Sequence, residues 1–133
     1  MTLLAVTVLT SLDAEDLNAM GIPESTSEHA TRLAKLAWAA GVRGFVPSPL
    51  EAERLRAELG PEAYLVTPGI RPGVAASGDQ KRVASPAAAI AAGSDLLVVG
   101  RPIHGSTDPA ARAAELAAEI AAARAALGSG SRP

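Results

Sequence analysis

The sequence predicts an α/β fold in which four βα units form one parallel sheet. Short apolar runs alternate along the chain with longer segments of helical periodicity, in the order β-α-β-α-β-α-β-α. The apolar runs are hydrophobic throughout instead of at every second position, which is typical of parallel strands covered by helices. The 133 residues are enough for one domain. We expect this domain to span residues 1–127, followed by a disordered tail at 128–133.

The first two units are defined by apolar runs and by signals for the start and end of helices. The first strand is predicted at Leu3–Leu9, and the first helix at Ser25–Ala40, where Ser25 and Glu28 have the spacing of a capping box. Gly41 ends this helix. Its predicted buried face carries Leu33, Leu36, Ala37 and Ala40. The second unit is a strand at 44–47 and a helix from the Ser48–Pro49 pair to Leu59.

The third and fourth units follow the same pattern. A third strand is predicted at 64–67, and a long loop rich in Gly and Pro at 71–83. Ser85 and Pro86 fit the start of a helix that ends at Gly93. A fourth strand at 95–99 precedes an alanine-rich helix from Asp108 to about Leu127. Four such units are half of a TIM (β/α)8 barrel, which takes about 250 residues, although alternation alone also fits a small open sheet.

Composition excludes several classes of function. The formal charge of −2 leaves no basic footprint for nucleic acid. The apolar N-terminal run is far too short to span a bilayer and has no basic residues before it, so neither a membrane segment nor a signal peptide is predicted. The chain has no cysteine, which excludes disulfides, a thiolate nucleophile and a sulfur-ligated metal. These features fit a cytoplasmic protein.

Two glycine-plus-arginine turns predict a phosphate site. The runs VTPGIRP at 66–72 and VVGRPI at 98–103 each end a strand with a glycine and then place an arginine, and GDQKR at 78–82 lies between them. Glycine lets backbone N–H groups approach an anion, and arginine supplies bidentate positive charge. Strand ends of this type form the phosphate sites of α/β barrels.

Four segments together resemble the C-terminal half of orotidine 5′-phosphate decarboxylase, in its short bacterial form. They are Ala5–Ser11, Leu65–Pro72, Gly78–Val83 and Leu97–Ile103. Their order and spacing match over roughly residues 2–121. The resemblance implies that the four strands are the fifth to eighth of a TIM (β/α)8 barrel, that is, half of the barrel.

The resemblance also implies an activity, namely the removal of CO2 from the pyrimidine of orotidine 5′-phosphate to give UMP, without metal or cofactor. In the family, the lysine of a D-x-K-x-x-D motif protonates the carbanion, and a neighbouring subunit adds an aspartate. That motif is absent here, and neither of the two lysines, Lys35 and Lys81, has its context. We therefore expect the phosphoribosyl-binding half without the catalytic half, inactive alone, whether a truncated gene product or a fragment.

The resemblance implies substrate-binding roles for seven residues and a catalytic role for none. They are Thr10, Ser11, Pro68, Arg71, Gln80, Gly100 and Arg101. The two arginines and the N–H of Gly100 would bind the phosphate of orotidine 5′-phosphate or UMP, and Gln80 would bridge phosphate and pyrimidine. Pro68 would pack against the pyrimidine, whose edge the two hydroxyls would bind.

Each of these residues also has a purely structural interpretation. Arg101 could be a surface arginine, Gly100 a turn glycine, Gln80 a solvated loop residue and Pro68 a proline that ends a strand. Arg71 could pair with Asp79, and Thr10 and Ser11 could form a turn.

Other charged residues are assigned to the surface. His29 and His104 lie far apart without metal-ligand spacing, so both are predicted to be surface residues and no metal is expected. Lys35 is placed on an outer helical surface. Glu51, Glu53 and Glu58, with the neighbouring arginines, are predicted to form a solvated charged face.

Two alternatives to a decarboxylase polypeptide remain open. One is a non-enzymatic phosphoribosyl-binding module or self-associating half-barrel, since half a barrel leaves strand edges and an apolar face uncovered. The other is a different phosphate-binding barrel, such as a sugar-phosphate synthase. The expected partners are a small-molecule nucleotide, orotidine 5′-phosphate or UMP, and either a second copy, as in a homodimer, or a complementary missing half.

Overall fold

The computed structural model of the chain describes residues 2–73 and 83–128. It contains a four-stranded parallel sheet in the order β1-β2-β3-β4, as the sequence predicted. The strands are β1 (Leu4–Val6), β2 (Gly44–Val46), β3 (Tyr64–Thr67) and β4 (Leu96–Leu97). The helices are α1 (Ala14–Ala19), α2 (Thr26–Ala39), α3 (Pro49–Leu59), α4 (Pro86–Ala91), α5 (Arg101–His104) and α6 (Pro109–Ala126). Tail residues 129–133 lie outside the described part of the chain.

The strands β1 and β4 are shorter than predicted. Each pairs with a neighbouring strand that is followed by a proline, and the pairing ends there. β1 pairs with β2 only as far as Val6 opposite Val46, and Pro47 follows on β2. β4 pairs with β3 as far as Leu97 opposite Thr67, and Pro68 follows on β3. Since proline has no N–H to donate to a ladder, both parallel ladders stop at these positions.

Helix boundaries agree closely with their sequence signals. Ser25 caps α2 and exchanges hydrogen bonds with Glu28, and Ser85 and Asp108 accept backbone N–H bonds at the starts of α4 and α6. Gly41 and Gly93, both with φ of 92°, follow the ends of α2 and α4. In each case the two residues after the cap donate back to the last turn, the Schellman arrangement that favours glycine.

Two short helices were missed. Asp13 accepts hydrogen bonds from the N–H groups of Glu15 and Asp16 and so starts α1, a signal that the sequence carried in the Asp13–Asp16 spacing. α5 begins at Arg101, where a turn was expected. Both helices are too short to show a periodic apolar face, so the pattern alone did not reveal them.

The core lies between α2, α3 and one face of the sheet. Its fully buried members are Ala34, Phe45, Ala52, Leu55, Ala63 and Leu65. Phe45 and Leu65 are register partners on β2 and β3, so both point toward the helices. The small residues Ala34 and Ala52 allow both helices to approach this face closely.

Four expectations about burial were wrong. Leu36 and Ala40, both predicted to be buried, are exposed, Leu36 to 59%, because α2 turns Ala30 and Ala34 toward the sheet instead. His29, predicted at the surface, is buried beside Glu24. Glu51, assigned to a solvated face, is only 2% exposed, because its carboxylate accepts the N–H of Ser48 at the start of α3.

The residues Arg56 and Asp95 connect α3 with the beginnings of β3 and β4. The guanidinium of Arg56 donates to Asp95 at 2.7 Å and to the carbonyls of Gly93 and Ala63. The same Asp95 carboxylate accepts the N–H of Leu65 at 2.7 Å. Both side chains are mostly buried, so these bonds lie in a medium that screens them little.

We therefore predict that Asp95→Ala lowers the free energy of unfolding by about 2 kcal/mol, because the Leu65 N–H and the Arg56 guanidinium lose their acceptor. Chemical denaturation measures the change. The control is Glu115→Ala, which removes the exposed Arg112–Glu115 ion pair and is expected to cost less than about 0.5 kcal/mol. Equal costs for the two variants would contradict the structural role of Asp95.

Candidate functional site

Six of the seven predicted site residues lie just beyond the carboxyl ends of strands. Thr10 and Ser11 follow β1, Pro68 and Arg71 follow β3, and Gly100 and Arg101 follow β4. Because the four strands are parallel, all these segments leave the sheet at one edge. Gln80 lies outside the described residues.

The segments that carry the two arginines leave from neighbouring strands. β3 and β4 are paired, and the N–H of Val98 still donates to the carbonyl of Thr67 at 2.9 Å just before the strands separate. Arg71 is four residues beyond Thr67, and Arg101 is three beyond Val98. The two segments that carry these arginines therefore leave the sheet side by side, at the same edge.

The backbone around Arg71 is fixed by a second contact. Its N–H donates to the carbonyl of Ala84 at 2.9 Å, and Ala84 donates in turn to Gly69 at 3.3 Å, which forms a parallel bridge at Ile70. Ile70 is buried, whereas Arg71 is partly exposed. This bridge holds the backbone of Arg71 against the segment that leads into α4.

Gly100 has open space on the side where other residues carry a side chain. Its φ is −112°, outside the left-handed region that favours glycine. A Cβ at this position would meet no described heavy atom within 4 Å. The packing of the described residues therefore does not explain the glycine. A glycine that packing does not require leaves its backbone uncovered by a side chain, which permits close approach of an anion.

Arg101 is the first residue of α5 and is exposed. Thr10 and Ser11 are exposed as well, on the far side of β2 from the arginines. With strands spaced about 4.8 Å apart, β1 lies roughly 10 Å from β3 and 14 Å from β4. The hydroxyls and the guanidinium groups thus belong to opposite ends of one sheet edge, an arrangement that suits an elongated ligand with one anionic end.

Sequence reasoning missed one candidate at this edge. Ser48 follows β2, the only strand to which no site residue was assigned, and it is fully buried. Its hydroxyl has no hydrogen-bond partner within the described ranges, although its N–H donates to Glu51. The sequence indicated Ser48 only as a helix cap, because its burial depends on the packing of α3.

A second polar cluster lies at the start of α2. Glu24 accepts hydrogen bonds from Arg32 at 3.1 Å and contacts the buried His29 at 3.1 Å. The hydrogen bonds from His29 and then from Arg32 hold the pKa of Glu24 below its ordinary value. Ser25 lowers the pKa of Glu28 in the same way, and Lys35, which pairs with Glu58 at 2.6 Å, lowers the pKa of Glu58. The carboxylates of this cluster are thus each paired with a neighbouring side chain.

One shallow cavity of about 340 Å³ lies on the outer side of α2. Its lining comes from that helix: Glu28, Thr31, Arg32, Lys35 and Leu36. None of these is among the predicted site residues. Within residues 2–73 and 83–128 no cluster of His, Asp and Glu side chains could hold a metal ion, and no helix is both long and apolar enough to cross a membrane.

Comparison with known proteins identifies one family. Residues 1–116 match the sequence model described as "Orotidine 5'-phosphate decarboxylase / HUMPS family". An orotidine 5′-phosphate decarboxylase of Thermobifida fusca is 58% identical over 116 residues, which are 87% of this chain and 50% of that protein. One from Anaeromyxobacter sp. (strain K) is 53% identical over 117 residues, covering 88% of this chain and 52% of the relative.

The fold comparison agrees. The crystal structure of orotidine 5′-phosphate decarboxylase from Lactobacillus acidophilus superposes with a TM-score of 0.73 at 37% sequence identity. The match covers 90% of this chain and 49% of that structure. The chain thus spans about half the length of the relatives that it matches. This confirms the predicted α/β half-barrel.

The lowered pKa of Glu24 predicts a pH-dependent contribution to stability. A carboxylate whose pKa is lower in the folded state stabilises the fold above its ordinary value of 4.5, and this contribution is lost as the pH falls through the folded value. We expect Glu24→Gln to have a lower Tm than the wild type at neutral pH, and the difference to shrink below pH 4.5 and disappear in stronger acid. Glu53→Gln, at an exposed position of α3, is the control. A difference in Tm that does not change with pH would contradict the prediction.

Proposed function

The chain belongs to the orotidine 5′-phosphate decarboxylase / HUMPS family, and from this premise we propose that it is the phosphoribosyl-binding part of an orotidine 5′-phosphate decarboxylase. The observation that carries the proposal is the placement of Arg71, Gly100 and Arg101 at one sheet edge, after neighbouring strands, in a chain whose relatives are named as this enzyme. The proposed ligands are orotidine 5′-phosphate and its product UMP, and the proposed process is pyrimidine nucleotide biosynthesis.

The proposed division of the site follows from the strand order. Arg71 and Arg101 supply two positive charges after β3 and β4, and the N–H of Gly100 completes the phosphate end. Thr10 and Ser11 beyond β1 are the proposed contacts of the pyrimidine edge, with Pro68 against the ring. Gln80 keeps its proposed role as the bridge between the two ends. Ser48, whose buried hydroxyl has no hydrogen-bond partner in the described part of the chain, joins the proposed site between them.

In this proposal the chain binds the nucleotide, and the residues that carry out the decarboxylation are not among its 133 residues. Contacts to phosphate and ribose accelerate a reaction only by holding the substrate against the groups that stabilise the transition state. The D-x-K-x-x-D motif implied by the resemblance does not occur in the 133 residues. The proposed polypeptide therefore binds the nucleotide but does not decarboxylate it alone, and we propose no metal or cofactor for it.

The remaining proposals concern partners and place. We propose that the chain acts in the cytoplasm, with a second copy or a complementary half as its partner. A sugar-phosphate synthase remains a second candidate because the matching family name extends beyond decarboxylases. The decarboxylase is favoured because both of the similar relatives quoted above carry that name.

We predict that UMP binds to the purified chain, as followed by NMR titration, and that Arg101→Ala weakens this binding roughly 10- to 100-fold, because one charge-assisted hydrogen bond contributes about 1.5–3 kcal/mol. Arg43→Ala, at the amino end of β2 and so at the opposite edge of the sheet from the site, is the control and should bind like the wild type. Ribose 5-phosphate tests the alternative in the same titration. Tighter binding of the sugar phosphate than of UMP would favour the synthase.

We also predict that the chain alone shows no decarboxylation of orotidine 5′-phosphate above the uncatalysed background, measured by the change in pyrimidine absorbance. A full-length relative, such as the enzyme from Thermobifida fusca, serves as the positive control. Turnover near the common enzymatic range of about 1 per second or faster would contradict the assignment of chemistry to absent residues.

A further inference from the structure

One face of the sheet is apolar and uncovered. Side chains alternate along parallel strands, and Phe45 and Leu65 point to the helices, so the residues before and after them point to the opposite face. We call this opposite face the inner face. Its exposed members are Leu4, Val6, Tyr64, Leu96 and Val98, each between 41% and 56% exposed.

At Gly44 the inner face has room for the side chain of a neighbouring strand. A Cβ at Gly44 would overlap the side chain of Leu4, its register partner on β1. Glycine at this position therefore lets Leu4 lie across β2. Val66 on β3 is only 5% exposed, so the middle of the face is concave and its outer strands rise on both sides.

Both edges of the sheet are open among the described residues. β1 pairs only with β2, and β4 pairs only with β3. The outer edges of β1 and β4 present the opposite sides of a parallel strand, so the edge of β4 can continue onto the edge of another β1 without reversing direction. An edge strand with an apolar face is a template for pairing.

The apolar area of the inner face is that of a typical binding patch. The five half-exposed side chains leave on the order of 400 Å² of apolar surface per chain, within the roughly 300–600 Å² of the largest patch on a typical monomer, which is often functional. Two such faces contribute about 800 Å² and the paired edges and flanking helices add to this, against the 1,200–2,000 Å² that stable interfaces bury. The face carries no charged side chain among its described members, so a copy can cover it without burying an unpaired charge.

We propose that a second copy of this chain covers the inner face, and that the two copies close one eight-stranded barrel about a two-fold axis parallel to the strands. In this arrangement β4 of each copy pairs with β1 of the other, all strands stay parallel, and no edge remains. Eight strands is also the number that side chains alone can fill.

Among the 133 residues, those that the structure does not describe (Met1, 74–82 and 129–133) are too few to supply four strands. A copy supplies strands of the right number, direction and length, together with an equally apolar face. The inference rests on the sheet and not on the nucleotide site, so it can fail while the proposed function holds, and the reverse.

The test is the mass of the purified 133-residue chain by size-exclusion chromatography with light scattering over a wide concentration range. We expect twice the chain mass of 13.4 kDa. Val6→Lys places a charge on the inner face and should halve the measured mass. Leu36→Lys, at a leucine of similar exposure on the outer side of α2, is the matched control and should leave the mass unchanged.

Circular dichroism shows whether Val6→Lys is folded, and Val98→Lys, at the other end of the inner face, serves if it is not. A wild-type monomer at all concentrations overturns the proposal. So does a series of growing oligomers, because a closed barrel stops at two copies. A dimer that both inner-face variants leave intact also overturns it, since the interface then lies elsewhere. A wild-type monomer that gains mass only when mixed with a chain carrying the N-terminal half of a relative identifies that half as the occupant instead.

Discussion

The structure depends on one topological constraint, namely that the strands follow each other in the sheet in the order of the chain. A strand–helix–strand crossover between parallel strands is right-handed in nearly all proteins. When every crossover moves to the next strand in the same direction, every helix falls on the same side of the sheet. The core of Phe45, Leu65 and the α2 and α3 alanines forms on that side, and the opposite side is left with half-exposed Leu4, Val6 and Tyr64.

The two ends of the strands have different roles. At the amino ends, Arg56 and Asp95 connect a helix, a strand and a turn through short and largely buried bonds. At the carboxyl ends Thr10, Ser11 and Arg101 are exposed, and the hydroxyl of Ser48 has no hydrogen-bond partner among the described residues. Polar groups that are satisfied stabilise a fold, whereas polar groups without partners are available to a ligand. This contrast supports the proposed location of the site more strongly than any single residue does.

The sequence predicted the elements whose signals are local and missed features that depend on packing. Ser25, Gly41 and Ser85 mark helix ends by their own backbone chemistry, so the bounds of α2 and the start of α4 were predictable. The burial of His29 and Glu51 and the exposure of Leu36 depend on which side of a helix meets the sheet, and small alanines decided this against the larger leucines. Ser48 was missed for the same reason. The role of Gln80 stays a prediction.

The inner face and the site edge place separate requirements on the same strands. Residues that alternate along a strand can be selected for packing within the barrel, while the residues just beyond its end are selected for ligand contact. Val98 and Arg101 illustrate this, since they lie three residues apart, one on the inner face and the other on the first turn of α5. Closing the barrel would hold the segments after β1 and β4 at a fixed separation, and a ligand that contacts both of these segments needs that separation fixed. Closure of the sheet can therefore add to affinity for an elongated anion, but the contacts with the anion come from other residues and do not require closure.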